Sequence, residues 1–155
     1  MNQELIDHLL FDLKNADARI RDRATAQLWR IWFWQKGKAG LTQIEASEEL
    51  AAQGKVDLAI DTLTHLIVDL PDFVEAWNRR AVLYYISQEY HLAIADCQRT
   101  IELSPGHFGA WHGLGLCQAA LGNYAVAISV LRQALKIQPY SIENQRLLLE
   151  CTARL

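Results

Sequence analysis

The chain has 155 residues, a size that fits one domain with one hydrophobic core. Hydrophobic residues make up 51% of it and charged residues 21%, which excludes an intrinsically disordered protein. The net charge of −3 argues against a nucleic-acid binder, because such proteins contact phosphates through an excess of lysine and arginine.

The cysteines and the N-terminus limit the cellular compartment. Cys97, Cys117 and Cys151 are an odd number without close pairing, so neither a disulfide framework nor a CxxC metal or redox motif is available. Acidic side chains interrupt the segment from Met1 to Leu13, unlike a signal peptide, and no apolar run approaches the roughly 20 residues that cross a bilayer. We expect a cytoplasmic protein without an integral membrane segment. Such a protein would contact a lipid surface only by peripheral attachment.

The chain is predicted to begin with a helical hairpin at residues 1–39. Apolar spacing over 4–14 and roughly 17–36 gives its two helices, and a short joint follows. The hairpin carries no repeat signature, and we expect it to cap the first of the repeats described below. A capping box formed by Thr42 and Glu45 predicts the start of the next helix.

An aromatic cluster at the end of the second helix has two interpretations. Trp29, Trp32 and Phe33 follow helical spacing, whereas Trp34 points to another side. In the first interpretation these side chains pack inward against the rest of the protein. In the second they form an exposed interface for a partner protein, a second copy of the chain or a lipid surface, since an exposed aromatic patch otherwise promotes aggregation.

An internal repeat organises the rest of the chain. The only three prolines, Pro71, Pro105 and Pro139, are equally spaced, and the interval between Trp77 and Trp111 is the same. Proline stops a helix, so each proline marks the end of a unit. The constant interval predicts three units of two helices each, at 40–73, 74–107 and 108–141.

The third unit resembles the tetratricopeptide repeat family. The resemblance is carried by Trp111-His112-Gly113-Leu114-Gly115, Tyr124, Ala127, Ala134 and Pro139. The second unit departs by placing Arg80-Ala81 where the family has a Leu-Gly pair, and the first unit lacks the tryptophan and tyrosine. The resemblance implies an all-α, right-handed α-solenoid of three helix pairs with capping helices at both ends, residues 142–155 being the C-terminal cap.

In this family the first helices of the units line a concave groove, and the resemblance implies that a partner binds there. By register the groove carries Glu45, Glu48, Glu75, Asn78, Arg79, Val82, Tyr85, Ile86, His112 and Leu116. Members that hold an acidic chaperone tail do so with lysine, arginine and asparagine. The matching positions here are Ile44, Glu48, Arg79, Gly109 and Gly113, so the resemblance does not support such a tail.

The charge of the units points to a partner of different character. The first unit is strongly acidic, whereas the charged residues of the third unit are all basic. One interpretation is an acidic surface that only keeps the protein soluble. The other is a groove for a basic segment followed by an apolar anchor near Tyr85 and Leu116.

Nothing in the sequence indicates catalysis, a bound metal or a cofactor. His107 and His112 lie five residues apart and do not have the i, i+4 spacing of helical zinc ligands. We predict a non-catalytic scaffold or adaptor that holds a peptide or helix of a protein partner, in the assembly of a larger complex. The alternative is structural self-association as a homo-oligomer, or peripheral membrane attachment, through the tryptophan-rich helix.

Overall fold

The computed structural model describes all 155 residues and consists of nine α-helices without a β-strand, which confirms the all-α class. The helices are α1 (Gln3–Asp12), α2 (Ala18–Phe33), α3 (Gly37–Ala52), α4 (Val56–Asp69), α5 (Val74–Ile86), α6 (Tyr90–Leu103), α7 (Phe108–Ala120), α8 (Tyr124–Ile137) and α9 (Ile142–Ala153). Helices α3 to α8 form three successive pairs, and α9 packs on α7 and α8.

The repeat period appears in the structure as a recurring hydrogen bond that joins each unit to the next. The indole Nε1 of Trp77 donates to the carbonyl oxygen of Pro71 at 2.9 Å, and that of Trp111 donates to Pro105 at 2.8 Å. A third bond at the same register runs from Gln145 Nε2 to the Pro139 carbonyl at 2.8 Å. Helix α9 therefore continues the repeat as a fourth first helix.

The two helices of the third unit approach closely because a glycine faces a leucine. A Cβ atom built on Gly115 of α7 would lie 2.7 Å from Cδ2 of Leu131 in α8, inside the contact distance of carbon atoms. Leu131 is fully buried. The close contact explains why the third unit has glycine at this register position.

The second unit replaces the Leu-Gly pair with an arginine that joins three helices. Arg80 of α5 donates from Nε and Nη2 to the carboxylate of Asp96 in α6, at 2.7 and 2.8 Å. Its Nη1 donates to Oγ1 of Thr64 in α4 at 3.2 Å. The hydrogen bonds to Asp96 raise the pKa of Arg80, so the guanidinium stays charged at this half-buried site.

The first repeat helix starts earlier than the capping box predicts. Helix α3 begins at Gly37, which follows Lys36 and has a φ of 65°. The Thr42 hydroxyl donates to the Lys38 carbonyl at 2.8 Å, a bond made inside a helix. The capping-box prediction was therefore wrong, and the predicted joint is the first turn of α3.

The N-terminal hairpin, α1 and α2, lies along one edge of the repeats. Beside the connection between the first two units, Lys36 Nζ is 2.7 Å from Oδ1 of Asp72. Beside the next connection, the indole of Trp32 stacks on the His107 imidazole with ring centroids 4.0 Å apart.

The same edge continues to the connection before α9. The guanidinium of Arg21 lies 4.0 Å from the ring centroid of Tyr140. Between these points, Leu10 of α1 lies against Gly106, where a Cβ atom would clash with its side chain. The structure thus differs from the expectation of a cap on the first unit, because the hairpin spans the connections of all three units.

A hydrophobic core of its own joins the hairpin to the repeats. Its buried members are Ile6, Leu9, Leu13, Ala24, Leu28 and Trp32 from the hairpin, with Val74 of α5 and Phe108 of α7. Both repeat residues are the first residues of their helices. The hairpin therefore buries the N-terminal ends of two repeat helices and leaves their later turns open.

Candidate functional site

The first helices of the units line a continuous strip of depressions, which we call the inner groove. A depression between α3 and α5 includes Glu48, Val82 and Ile86. It shares Val82 with an apolar pocket between α5 and α7, and that pocket shares His112 and Leu116 with a third depression between α7 and α9. The inner groove crosses four helices, one more than the sequence analysis assigned to it.

The apolar pocket, which we call the central pocket, has a volume of about 130 Å³. It is lined by Asn78, Ala81, Val82, Tyr85, Cys97, Gly109, His112, Gly113, Leu116 and Cys117. Gly113 of α7 contributes no side chain to the pocket, whereas the space beside Gly109 is filled by the Trp29 ring, 2.8 Å from where a Cβ atom would lie. A Cβ on Gly113 would have only Cys97 Sγ within 4 Å, at 3.2 Å.

The two thiols of the central pocket are neutral at physiological pH. Burial raises the pKa of Cys117 to about 11 and raises that of Cys97 further. A neutral thiol is a weak nucleophile and behaves as a small hydrophobic side chain. At these two positions the pocket wall is therefore apolar.

The predicted groove residues are divided among these depressions. Asn78, Val82, Tyr85, His112 and Leu116 line the central pocket, and Glu48, Arg79, Val82 and Ile86 line the depression between α3 and α5. Glu45 is exposed on α3 but lines none of the three depressions. That these residues bind a partner stays a prediction.

Glu75 differs from the exposed groove carboxylate that the sequence analysis expected. Its side chain is 0% exposed, and Oε2 accepts a hydrogen bond from His107 Nε2 at 3.0 Å. Oε1 accepts from Asn78 Nδ2 at 3.0 Å and from Arg79 Nε at 2.8 Å. With both oxygens bound inside the protein, the Glu75 carboxylate cannot meet a ligand in the groove.

The partners of Glu75 keep it ionised in spite of its burial. Burial alone raises the pKa of a carboxyl group, but here the hydrogen bond from His107, the charge of Arg79 and the hydrogen bond from Asn78 together outweigh it. The net result is a pKa of Glu75 below its ordinary value of 4.5. This buried cluster fixes the start of α5 against the start of α7.

Arg79 is also engaged within the chain. Besides Glu75, its guanidinium is 3.5 Å from Oε1 of Glu48 in α3. Its Cζ lies 4.8 Å from the ring centroid of Phe33 and 5.6 Å from that of Trp29, distances typical of cation–π contact. A ligand carboxylate would have to displace these partners.

Helix α9 adds charged residues to the inner groove that the sequence analysis did not assign to it. Glu143, Arg146 and Glu150 line its last depression. Glu143 Oε2 lies 3.7 Å from His112 Nε2. The sequence contains the information for assigning α9 to the groove, because the proline interval places Arg146 at the register position that His112 has in the preceding unit. The far end of the groove therefore contains two carboxylates and is not simply the basic end that unit charges suggest.

The aromatic cluster does not form the exposed interface of the second interpretation. Trp32 is 0% exposed, Trp29 and Phe33 are half-buried, and only Trp34 is exposed, at 47%. Trp29 packs edge-to-face on Phe108 with centroids 5.1 Å apart, because Gly109 leaves room for its ring. None of the nine helices combines the length and apolar character of a membrane span.

Both histidines considered as metal ligands are bound within the chain. His107 Nδ1 accepts a hydrogen bond from the Ala110 amide at 3.1 Å, which caps α7, while its Nε2 faces Glu75. His112 Nδ1 is 2.6 Å from Oδ1 of Asn144. No group of three or more histidine, cysteine, aspartate or glutamate side chains is arranged to hold a metal ion.

Comparisons with known proteins find that this chain is similar to tetratricopeptide repeat proteins. The sequence model of the tetratricopeptide repeat family matches residues 72–139. A TPR repeat-containing protein of Rhizobium etli is 26% identical over 138 residues, which are 88% of this chain and 68% of that protein. The SGT1 homolog of Homo sapiens is 28% identical over 79 residues, 51% of this chain and 22% of that protein.

A solved structure with the same fold contains a bound peptide. It is the first TPR of Spaghetti (RPAP3) bound to the HSP90 peptide SRMEEVD, with a TM-score of 0.70 and 24% identity. The similarity covers 73% of this chain and 90% of that chain. At this level of identity the comparison shows a common fold.

Proposed function

Since this chain is a tetratricopeptide repeat protein, we propose that it is a non-catalytic adaptor whose inner groove holds a segment of a partner protein. The segment inserts one aliphatic side chain into the central pocket between α5 and α7. The carrying observation is the central pocket itself, an apolar opening into which Gly113 of α7 places no side chain.

The surroundings of the central pocket support an apolar contact as the main source of affinity. Val82 is 41% exposed and Ile86 is 61% exposed on the same face of α5, although both are large hydrophobic residues. Burial of such residues in the centre of an interface contributes more to affinity than exposed charge pairs do. The partner residue that fits is of the size of leucine, isoleucine or valine.

The charges along the groove favour a basic or neutral segment over an acidic one. Glu48 is exposed at the α3 end, and Glu143 and Glu150 are exposed at the α9 end. The groove's two arginines, Arg79 and Arg146, stand beside these carboxylates, and Arg79 is already ion-paired. Charge here sets orientation and association rate more than affinity.

A peptide library displayed on phage and selected on the immobilised protein tests the proposal. We expect the enriched peptides to share one aliphatic residue with lysine or arginine nearby. Gly113→Leu should abolish their binding because its side chain fills the central pocket, and Gly113→Ala should weaken binding less. Ala26→Leu, on the exposed face of α2, is the control that adds bulk elsewhere. Enriched peptides that bind Gly113→Leu as tightly as the wild type contradict the proposal.

An acidic peptide provides a second test of the same surface. The HSP90 peptide SRMEEVD, bound in the similar solved structure, carries a run of carboxylates. The positions where family members that hold such tails use polar or basic residues are occupied here by Gly109, Gly113 and Ile44, the last of which is fully buried. We expect isothermal titration calorimetry to detect no binding of this peptide, and tight binding would contradict the charge argument.

A further inference from the structure

We propose that copies of this chain associate head to tail, with the exposed acidic face of α4 in one copy seated in a basic, aromatic groove between α1, α7 and α8 of the next. These two surfaces lie outside the inner groove, so the inference is independent of the proposed function. We call the first the acidic face and the second the edge groove.

The edge groove is an open depression of about 480 Å³ formed where the hairpin meets the third unit. Its main lining residues are Leu10, Phe11 and Lys14 of α1, Trp111 of α7, and Lys136 and Ile137 of α8. Phe11 is 70% exposed, which is unusual for a phenylalanine that nothing covers. The groove therefore presents apolar surface that the chain itself leaves unfilled.

The indole of Trp111 is open to this groove because two side chains of the repeat register are absent. In the preceding unit, the guanidinium groups of Arg80 and Arg99 lie 5.2 and 5.9 Å from the ring centroid of Trp77. The residues at the same register in the third unit are Leu114 and Gln133, and no cation lies over Trp111. The face that arginines cover on Trp77 is thus available on Trp111.

The edge groove has a net positive charge, and its two lysines form no ion pair within the chain. Lys14 and Lys136 are exposed, and neither has a carboxylate oxygen within 4.0 Å. The one carboxylate in the lining, Asp7, accepts a hydrogen bond from Gln3 at 2.8 Å. An acidic surface with apolar residues would satisfy both the lysines and the aromatic rings.

The acidic face of α4 has this composition. Its exposed residues are Asp57, Leu58, Asp61, His65, Val68 and Asp69. Leu58 is 52% exposed and Val68 is 74% exposed, and the rise of an α-helix places them about 15 Å apart. None of the three aspartates has an ion-pair partner in the chain. Two apolar residues and three free carboxylates thus lie on one exposed helix.

The two surfaces cannot meet within one copy. Helix α4 contacts its neighbours α3 and α5, whereas the edge groove is formed by α1, α7 and α8. A contact between different surfaces of two copies leaves one acidic face and one edge groove free at the ends, so it extends into a chain or closes into a ring. Because exposed charges attract each other here, association should weaken as salt screens them.

Sedimentation velocity of the full chain at low and high ionic strength tests the proposal. We expect the mean mass of the wild type to rise with protein concentration at low salt and to fall toward the monomer at high salt. Lys14→Glu with Lys136→Glu, and separately Asp57→Lys with Asp61→Lys, should each stay monomeric. Arg23→Glu with Arg30→Glu makes the same charge change at exposed positions on α2 and should associate like the wild type.

A mixture of the two monomeric variants gives the sharpest result. The lysine variant retains its acidic face and the aspartate variant retains its edge groove, and the two altered surfaces carry complementary reversed charges, so an equimolar mixture should associate although neither variant does so alone. Gly113→Leu should associate like the wild type, which separates this contact from the inner groove. A wild type that stays monomeric at every concentration at low salt overturns the proposal, as does a mixture that does not associate, and either result leaves the edge groove to an acidic segment of another protein.

Discussion

The apolar side chains of helix α5 are buried at its start and exposed toward its end, within three turns. At its start Val74 is 1% exposed beneath the hairpin, whereas Val82 and Ile86 toward its end are exposed at 41% and 61%. The first region is completed by the chain itself, and the second lies open in the inner groove. Exposed apolar residues on a repeat helix mark the place where we expect a partner. Substitutions at the start of α5 should therefore affect stability, and substitutions toward its end should affect binding.

The largest expected effect comes from removing the hairpin's buried indole. Trp32→Ala should lower the free energy of unfolding by about 3 to 5 kcal/mol, because it leaves a cavity between His107 and Phe108. Trp34→Ala, two residues further and 47% exposed, should change it by less than about 0.5 kcal/mol. Urea denaturation followed by circular dichroism measures the free energy of unfolding of both variants. Equal losses would contradict the burial of Trp32 between the hairpin and the repeats.

Removing the buried charge beneath the hairpin should have the next largest effect. Glu75→Gln removes the carboxylate that pairs with Arg79 and leaves one donor of the cluster facing an amide NH2 group, and loss of one member of a buried ion pair costs about 3 kcal/mol. Because the pKa of Glu75 is lowered on folding, its contribution is present above the ordinary value of 4.5 and is lost as the pH falls through the folded-state value. Wild-type stability should therefore decline more steeply below about pH 5 than that of Glu75→Gln. Parallel curves would show that the pKa of Glu75 does not change on folding and would contradict this account.

Trp111→Ala should have a smaller effect than Trp32→Ala although both remove an indole. Trp111 is half-buried and opens onto the edge groove, and its removal also breaks the hydrogen bond to Pro105. We expect a loss of about 1 kcal/mol in thermal denaturation, the centre of the range for point variants. A loss as large as that of Trp32→Ala would mean that Trp111 is a core residue.

Variants in the open region should leave stability almost unchanged and affect binding alone. Val82→Ala and Ile86→Ala should shift the free energy of unfolding by less than about 0.5 kcal/mol each. Both should raise the dissociation rate of peptides selected on the wild type, measured by surface plasmon resonance, because they remove apolar surface from the contact. Unchanged dissociation rates would show that Val82 and Ile86 do not contact the bound peptide.

The structural features that the sequence predicts correctly are those that follow the repeat register. The constant interval between the prolines assigns the helix pairs, and the small residue facing Leu131 follows from the family pattern at Gly115. The same register extends to α9, where Gln145 takes the place of Trp111. Positions that repeat are predictable because each unit packs on its neighbour in the same way.

The hairpin and the Glu75 cluster depend on contacts that no period describes. The side chains of the hairpin show which of their faces is apolar but not which surface of the repeats receives it. Glu75 was predicted on the groove because its register position is on the first helix of a unit, yet Trp32 covers His107 and closes the site. The burial of a charged residue was therefore decided by a helix outside the repeat.

Backbone amide chemical shifts of the ¹⁵N-labelled protein, titrated with a peptide selected on the wild type, test the central claim most directly. We expect shifts to concentrate at Val82, Gly109, Gly113 and Leu116 around the central pocket, with little change in α1 and α4. Shifts confined to Phe11, Trp111 and Lys136 of the edge groove, or to the hairpin, would contradict the assignment of the inner groove as the binding surface.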